Sequence, residues 1–163
     1  MGSCTVLCKY ANEAQHFTKN YIFAILSSDL STNNFHHGHD TYIDYGSCVT
    51  IVGNHAIVFG GNVEKSQVSV IYPGGVKRIQ SLPFQLQNGR CHHDDGTIYL
   101  CLPNKCYKTY DLMKYDEMEE TKYNHMEGGI VTINKELVAI AGIFTAAVEV
   151  FNGALWNDTD AVF

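Results

Sequence analysis

Residues 47–61 read Ser-Cys-Val-Thr-Ile-Val-Gly-Asn-His-Ala-Ile-Val-Phe-Gly-Gly. Two runs rich in β-branched and apolar residues, Ser47–Val52 and Ala56–Phe59, flank Gly53-Asn54. That dipeptide suits a two-residue hairpin loop, and both runs have the length of strands rather than helices. Each run is apolar on both faces, the pattern of a strand covered on both sides. Gly60-Gly61 closes the second run, where glycine allows backbone angles closed to other residues and lets a neighbouring chain approach closely. Outward from this hairpin, Val68–Tyr72, the turn Pro73-Gly74-Gly75 and Val76–Ile79 complete a set of four strands.

The set recurs. Gly89–Cys91 leads through His92-His93 to the turn at 94–97 and then to Ile98–Cys101, with Tyr107–Tyr110 and Lys114–Met118 beyond a loop. A third pass starts at Gly128-Gly129 and runs through Ile130–Ile133, a turn at Asn134-Lys135, Leu137–Ala141, Ala147–Phe151 and Ala154–Asn157. The first turns, marked by Gly53, Gly96 and Lys135, are 43 and 39 residues apart. Aromatics ending the third strands, Tyr72, Tyr110 and Phe151, are 38 and 41 apart. A unit of about 40 residues is the period of propeller blades and solenoid repeats. A further aromatic follows five residues later in two units, as Tyr115 and Trp156, with Lys77 in that place in the first.

These marks resemble kelch repeats, whose unit is a four-stranded blade with a double-glycine strand, a Tyr-Asp pair and a Trp at a short interval. Ile57-Val58-Phe59-Gly60-Gly61 matches the double-glycine strand; 138–142 keeps one glycine and 98–103 none. Tyr110-Asp111 matches the Tyr-Asp pair, Phe151-Asn152 and Tyr72-Pro73 are weaker versions, and Trp156 is the one Trp. The resemblance covers Tyr45 to Thr159. It implies an all-β, partial kelch-type β-propeller of about three four-stranded antiparallel blades, at about 45–84, 85–124 and 125–163. Residues 1–44 are read as an N-terminal extension or partial blade, with Asn20–Leu26 and Thr41–Tyr45 as candidate strands. Three blades do not close a ring. Residues 1–44, a longer chain or a second copy would complete it, and the abrupt stop after a blade-like unit favours a longer chain.

Composition narrows the function classes. The 163 residues are 45% hydrophobic and 17% charged, with a net charge of −6. Such a chain folds rather than remaining disordered. Eleven Lys and Arg against seventeen Asp and Glu speak against a nucleic-acid surface. No apolar run approaches about 18 residues, which excludes a membrane-spanning helix. The first ten residues lack the basic-then-apolar pattern of a signal peptide, which favours the cytoplasm while leaving the compartment open. On the same ground the glycosylation triplet Asn157-Asp158-Thr159 is read as unused. Met1–Val6 is discounted as a myristoylation site because Val6 replaces Ser or Thr.

Of six cysteines, Cys101 and Cys106 flank the expected turn Leu102–Lys105. If that turn is a hairpin loop, they face each other as a disulfide or as two packed thiols. His36-His37-Gly38-His39-Asp40 carries metal-ligand residue types without a paired second half, and is read as a polar loop. His92-His93-Asp94-Asp95 is assigned to a hairpin turn. Asp116–Glu120 is read as a solvated outer strand and loop. No nucleophile elbow, phosphate loop or zinc-protease motif is present, so neither a catalytic residue nor a cofactor or metal is assigned.

The kelch resemblance implies a non-catalytic protein-interaction module that presents its blade-end loops to another protein. Asn62–Gln67, Leu102–Lys105 and Ile143–Ala146 each follow a second strand, so they should gather at one end. Asn62, Glu64, Lys65, Asn104, Lys105, Phe144 and Thr145 are the candidate contacts. Open blade edges also allow self-association. Two alternatives stand beside this: a fragment of a copper enzyme like galactose oxidase, which shares the blades, and a secreted structural module with Cys101 and Cys106 bonded.

Overall fold

The computed structural model describes residues 24–26, 32–34, 46–72 and 75–162. Cys4, Cys8, the His36–Asp40 run, the expected strand at 41–45 and Pro73-Gly74 lie outside the described residues. Two short strands, β1 (Ala24–Leu26) and β2 (Thr32–Asn34), pair antiparallel, the first at the end of the expected strand Asn20–Leu26.

Every other element belongs to one of three four-stranded antiparallel sheets. The first holds β3 (Cys48–Val52), β4 (His55–Phe59), β5 (Val68–Tyr72) and β6 (Gly75–Arg78). In the second are β7 (Arg90–Asp94), β8 (Thr97–Cys101), β9 (Cys106–Thr109) and β10 (Asp116–Glu117). The third comprises β11 (Gly129–Ile133), β12 (Glu136–Gly142), β13 (Thr145–Phe151) and β14 (Trp156–Val162). Strands follow chain order across each sheet, and β7 lies against both β3 and β11. The first strand of each sheet is therefore innermost.

Alternation along β8 explains the stacking. Ile98 and Leu100 point to the first sheet and join Ile57, Phe59, Val68, Leu82 and Leu86 in one buried cluster. Cys101 points to the third sheet and packs with Cys106, Met118, Ile130, Leu137, Ala139 and Trp156. A strand apolar on both faces is what a middle sheet needs. Ala56, Val58 and Ile71 form a third cluster on the other face of the first sheet.

Two connections differ from the sequence reading. His92 and His93 lie within β7, because the turn is the tighter pair Asp95-Gly96, where both residues have positive φ. His92 Nε2 there accepts the Thr132 amide at 3.1 Å, tying β7 to β11. The expected loop Ile143–Ala146 shrinks to the turn Ile143-Phe144, since pairing of β12 with β13 continues to Gly142 and Thr145 through a register shift. The outer strands differ as well: Lys114–Met118 reduces to Asp116–Glu117, while the strand expected at 154–157 runs from Trp156 to Val162.

Candidate functional site

Each innermost strand starts at the same end of its sheet, and each second-to-third-strand connection returns there. That end therefore holds the starts of β3, β7 and β11 together with the loops at 60–67, 102–105 and 143–144. Segments 46–47, 88–90 and 127–128 line a cavity of about 350 Å³ between the strand starts.

The loops are held by their own backbones. In the first sheet, Ser66 O accepts from Leu82 N at 2.7 Å and Lys65 O from Leu86 N at 2.7 Å. In the second, Asn104 O accepts from Thr121 N at 2.8 Å and Pro103 O from His125 N at 2.7 Å. Leu82 and Thr121 are 39 residues apart, as are Leu86 and His125. One socket is built twice. In each case the segment leading to the next sheet hangs on two carbonyls of the loop before it, satisfying backbone groups that have no ladder partner. Glycine makes the approach possible: a Cβ on Gly60 would lie 1.9 Å from Leu86 O, and one on Gly128 would lie 2.3 Å from Ala141 O.

With the carbonyls so engaged, the side chains face outward. Asn62 is exposed and its Oδ1 accepts from Gln87 Nε2. The Glu64 carboxylate lies 3.6 Å from Arg78. Lys105 Nζ meets Glu117 Oε1 at 2.7 Å, which holds the ammonium above its usual range. Asn104 is exposed. Thr145 is a strand residue whose Oγ1 accepts from Ala147 N at 3.0 Å. Val63 is 71% exposed, Ile143 57% and Phe144 67%, placing large apolar side chains at this end on two of the three connections.

Beneath the mouth lie three charged groups that the sequence reading missed. Arg90 is buried at the start of β7, and its Nη2 donates to Leu102 O and, at 3.4 Å, to Pro103 O. It thereby positions the loop of the second sheet. Nε and Nη1 are buried without a protein partner. Burial pushes the guanidinium down to about 10, against the opposing charge of Glu149. Glu149 and His125 are both fully buried, with Glu149 Oε2 2.7 Å from His125 Nε2. His125 Nδ1 lies 2.7 Å from Ala141 O and donates to it, because a carbonyl only accepts. Glu149 also accepts the Lys122 amide at 2.9 Å and the Tyr123 amide at 3.1 Å. One carboxylate thus anchors the whole segment joining the second and third sheets. The sequence held a signal for it, a single charge inside the apolar run Ala147–Phe151.

Two disulfides brace the same region. Cys48 and Cys91 join β3 to β7 with Cα atoms 5.8 Å apart, and Cys101 and Cys106 join β8 to β9 at 4.1 Å. Among the described residues, no group of three or more His, Cys, Asp or Glu side chains is placed to hold a metal ion.

With this geometry in hand, the chain is similar to the solved structure of YjhT (TM-score 0.67, 12% identity, covering 86% of this chain and 59% of that one). It is similar also to virginiamycin B lyase from Staphylococcus aureus (TM-score 0.59, 13% identity, 86% and 48%). A streptogramin B lyase gives a TM-score of 0.58 at 10% identity, again over 86% and 48%. The fold is a partial β-propeller. Its three sheets are blades, and the chain spans 48–59% of the length of these structures. No protein-family model matches the chain, and no curated protein is similar to it in sequence. At such low identity the likeness extends to fold and not to activity.

Proposed function

We propose that the chain is part of a kelch-type propeller and serves as a recognition platform for another protein, without a reaction of its own. The observation that carries this is the combination at one end: exposed Val63, Ile143 and Phe144 beside connections and crossovers whose backbones are already bonded. Recognition is favoured where apolar anchors sit on a pre-ordered frame, because little entropy is then lost on binding. Gly60 seated against Leu86 and Trp156 packed between the second and third blades support the kelch type, since both marks act at the joints between blades. Arg90 below the mouth and Glu127 at its rim add charge of each sign.

A photo-crosslinking residue at Phe144 tests the reading against one at Ile133, which is 49% exposed at the opposite end. The expected result is a partner crosslinked from position 144 and not from 133. Alanine at Val63, Asn104, Lys105 and Ile143 should abolish that crosslink with the circular dichroism spectrum unchanged. Crosslinking of equal strength from both ends, or capture insensitive to the loop changes, overturns it.

A further inference from the structure

We infer that Asn157 is an acceptor for an N-linked glycan. The triplet Asn157-Asp158-Thr159 has the sequon's form, and the fold decides whether the group could be carried. Asn157 lies on β14, the outermost strand of the third blade. In register it pairs with Val150, while its neighbours Trp156 and Asp158 pair with Phe151 and Glu149. Alternation sends Trp156 into the interface with the second blade, where its Nε1 donates to Glu119 O at 2.9 Å. Asp158 turns the same way and bonds Lys122 and Tyr123. Asn157 therefore points to the opposite face, where it is exposed, and its Nδ2 bonds locally to Leu155 O at 3.3 Å. The residues holding the strand point inward and the acceptor points outward, so a bulky glycan displaces none of the packing.

The second observation is independent of the triplet. Cys48–Cys91 and Cys101–Cys106 are both bonded. Such bonds persist where the chain matures in an oxidising compartment, and in eukaryotic cells that compartment also houses N-glycosylation. In the transfer, the Asn157 amide nitrogen attacks the anomeric carbon of a lipid-linked oligosaccharide. A C–N bond forms, the C–O bond to the lipid pyrophosphate breaks, the amide loses a proton and the lipid pyrophosphate departs. A glycan here also shields β14, an edge strand seven residues long and open to pairing with other chains.

The full 163-residue chain, secreted from animal cells behind a supplied leader, tests this by intact mass before and after peptide N-glycosidase. Wild type and Thr159→Ser should lose a glycan-sized mass, and peptide mapping should find Asn157 converted to Asp. Asn157→Gln and Thr159→Ala should show no loss. Secreted wild type at its unmodified mass overturns the inference, as does a mass loss that survives Asn157→Gln. Because peptide mapping uses wild type alone, a variant that fails to fold does not block the decision.

Discussion

Replacing Glu149 by alanine removes the acceptor for three donors at once: the amides of Lys122 and Tyr123 and Nε2 of His125. Water can reach the two amides in part, since Lys122 is exposed and Tyr123 half-buried. His125 is fully buried and has no such recourse. An orphaned buried donor costs about 1–3 kcal/mol, and breaking a buried pair by removing one partner costs about 3–5 kcal/mol. Loss of Glu149 also deletes the charge that opposes the burial cost of Arg90. The expected destabilisation is therefore about 3–5 kcal/mol, a large part of the ~5–15 kcal/mol that holds a typical domain. Urea unfolding followed by the fluorescence of Trp156 is suited to the measurement. This is the one Trp in the chain, and its indole bonds to the same connecting segment. His125→Ala and the double variant complete a cycle, in which the two changes together should cost clearly less than their sum. A shift below about 1 kcal/mol for Glu149→Ala, or additivity within about 0.5 kcal/mol, would refute the claim that the pair anchors the blade joint.

Counting thiols in denaturant should find at most two of the six, because four are bonded. By loop closure, losing Cys48–Cys91, 43 residues apart, should cost about 4 kcal/mol, against about 2 kcal/mol for Cys101–Cys106, five apart. Paired serine variants in the same unfolding assay check the order. Burial pushes the Tyr115 phenol up to about 12. The native state keeps this proton after the unfolded state has lost it, so the Tyr115 contribution is intact below pH 10 and is lost as pH rises from 10 through 12. An ultraviolet titration should show a late phenol that Tyr115→Phe removes; an unchanged late phase would refute the assignment.

The strands were legible because two-residue turns and apolar runs are local facts, and Gly53-Asn54 needs no distant partner to be a turn. Where the reading slipped, a tertiary contact outweighed local composition. Thr145 and Ala146 lie in β13 because Gly142 at φ +153° and Ala141 at φ +47° let the ladder shift register and continue. His92 and His93 read as turn residues because polar side chains are rare in inner strands, yet His92 finds its partner in Thr132 of the next blade. The disulfide between Cys48 and Cys91 was missed although its signal was present. Their separation of 43 equals that between Gly53 and Gly96, so the cysteines occupy equivalent places on adjacent inner strands. Arg90 and His125 gave no comparable signal, since only the stacking of blades makes their surroundings dry.

Equivalence of position does not bring equivalence of chemistry, and the mouth depends on that difference. Leu86 and His125 hang from matching carbonyls, but Leu86 enters an apolar cluster while His125 meets a carboxylate. The joint between the first two blades is apolar and crosslinked through Cys48–Cys91; the joint between the second and third is a polar anchor on Glu149. An apolar joint tolerates small shifts, because burial has no direction. A charged one does not, because each displaced donor is left dry. Loosening should therefore divide by cause, with reduction acting at the first joint and loss of Glu149 at the second. Phe144, borne by the third blade, should lose its setting in the second case while Val63, on the first blade, keeps its own.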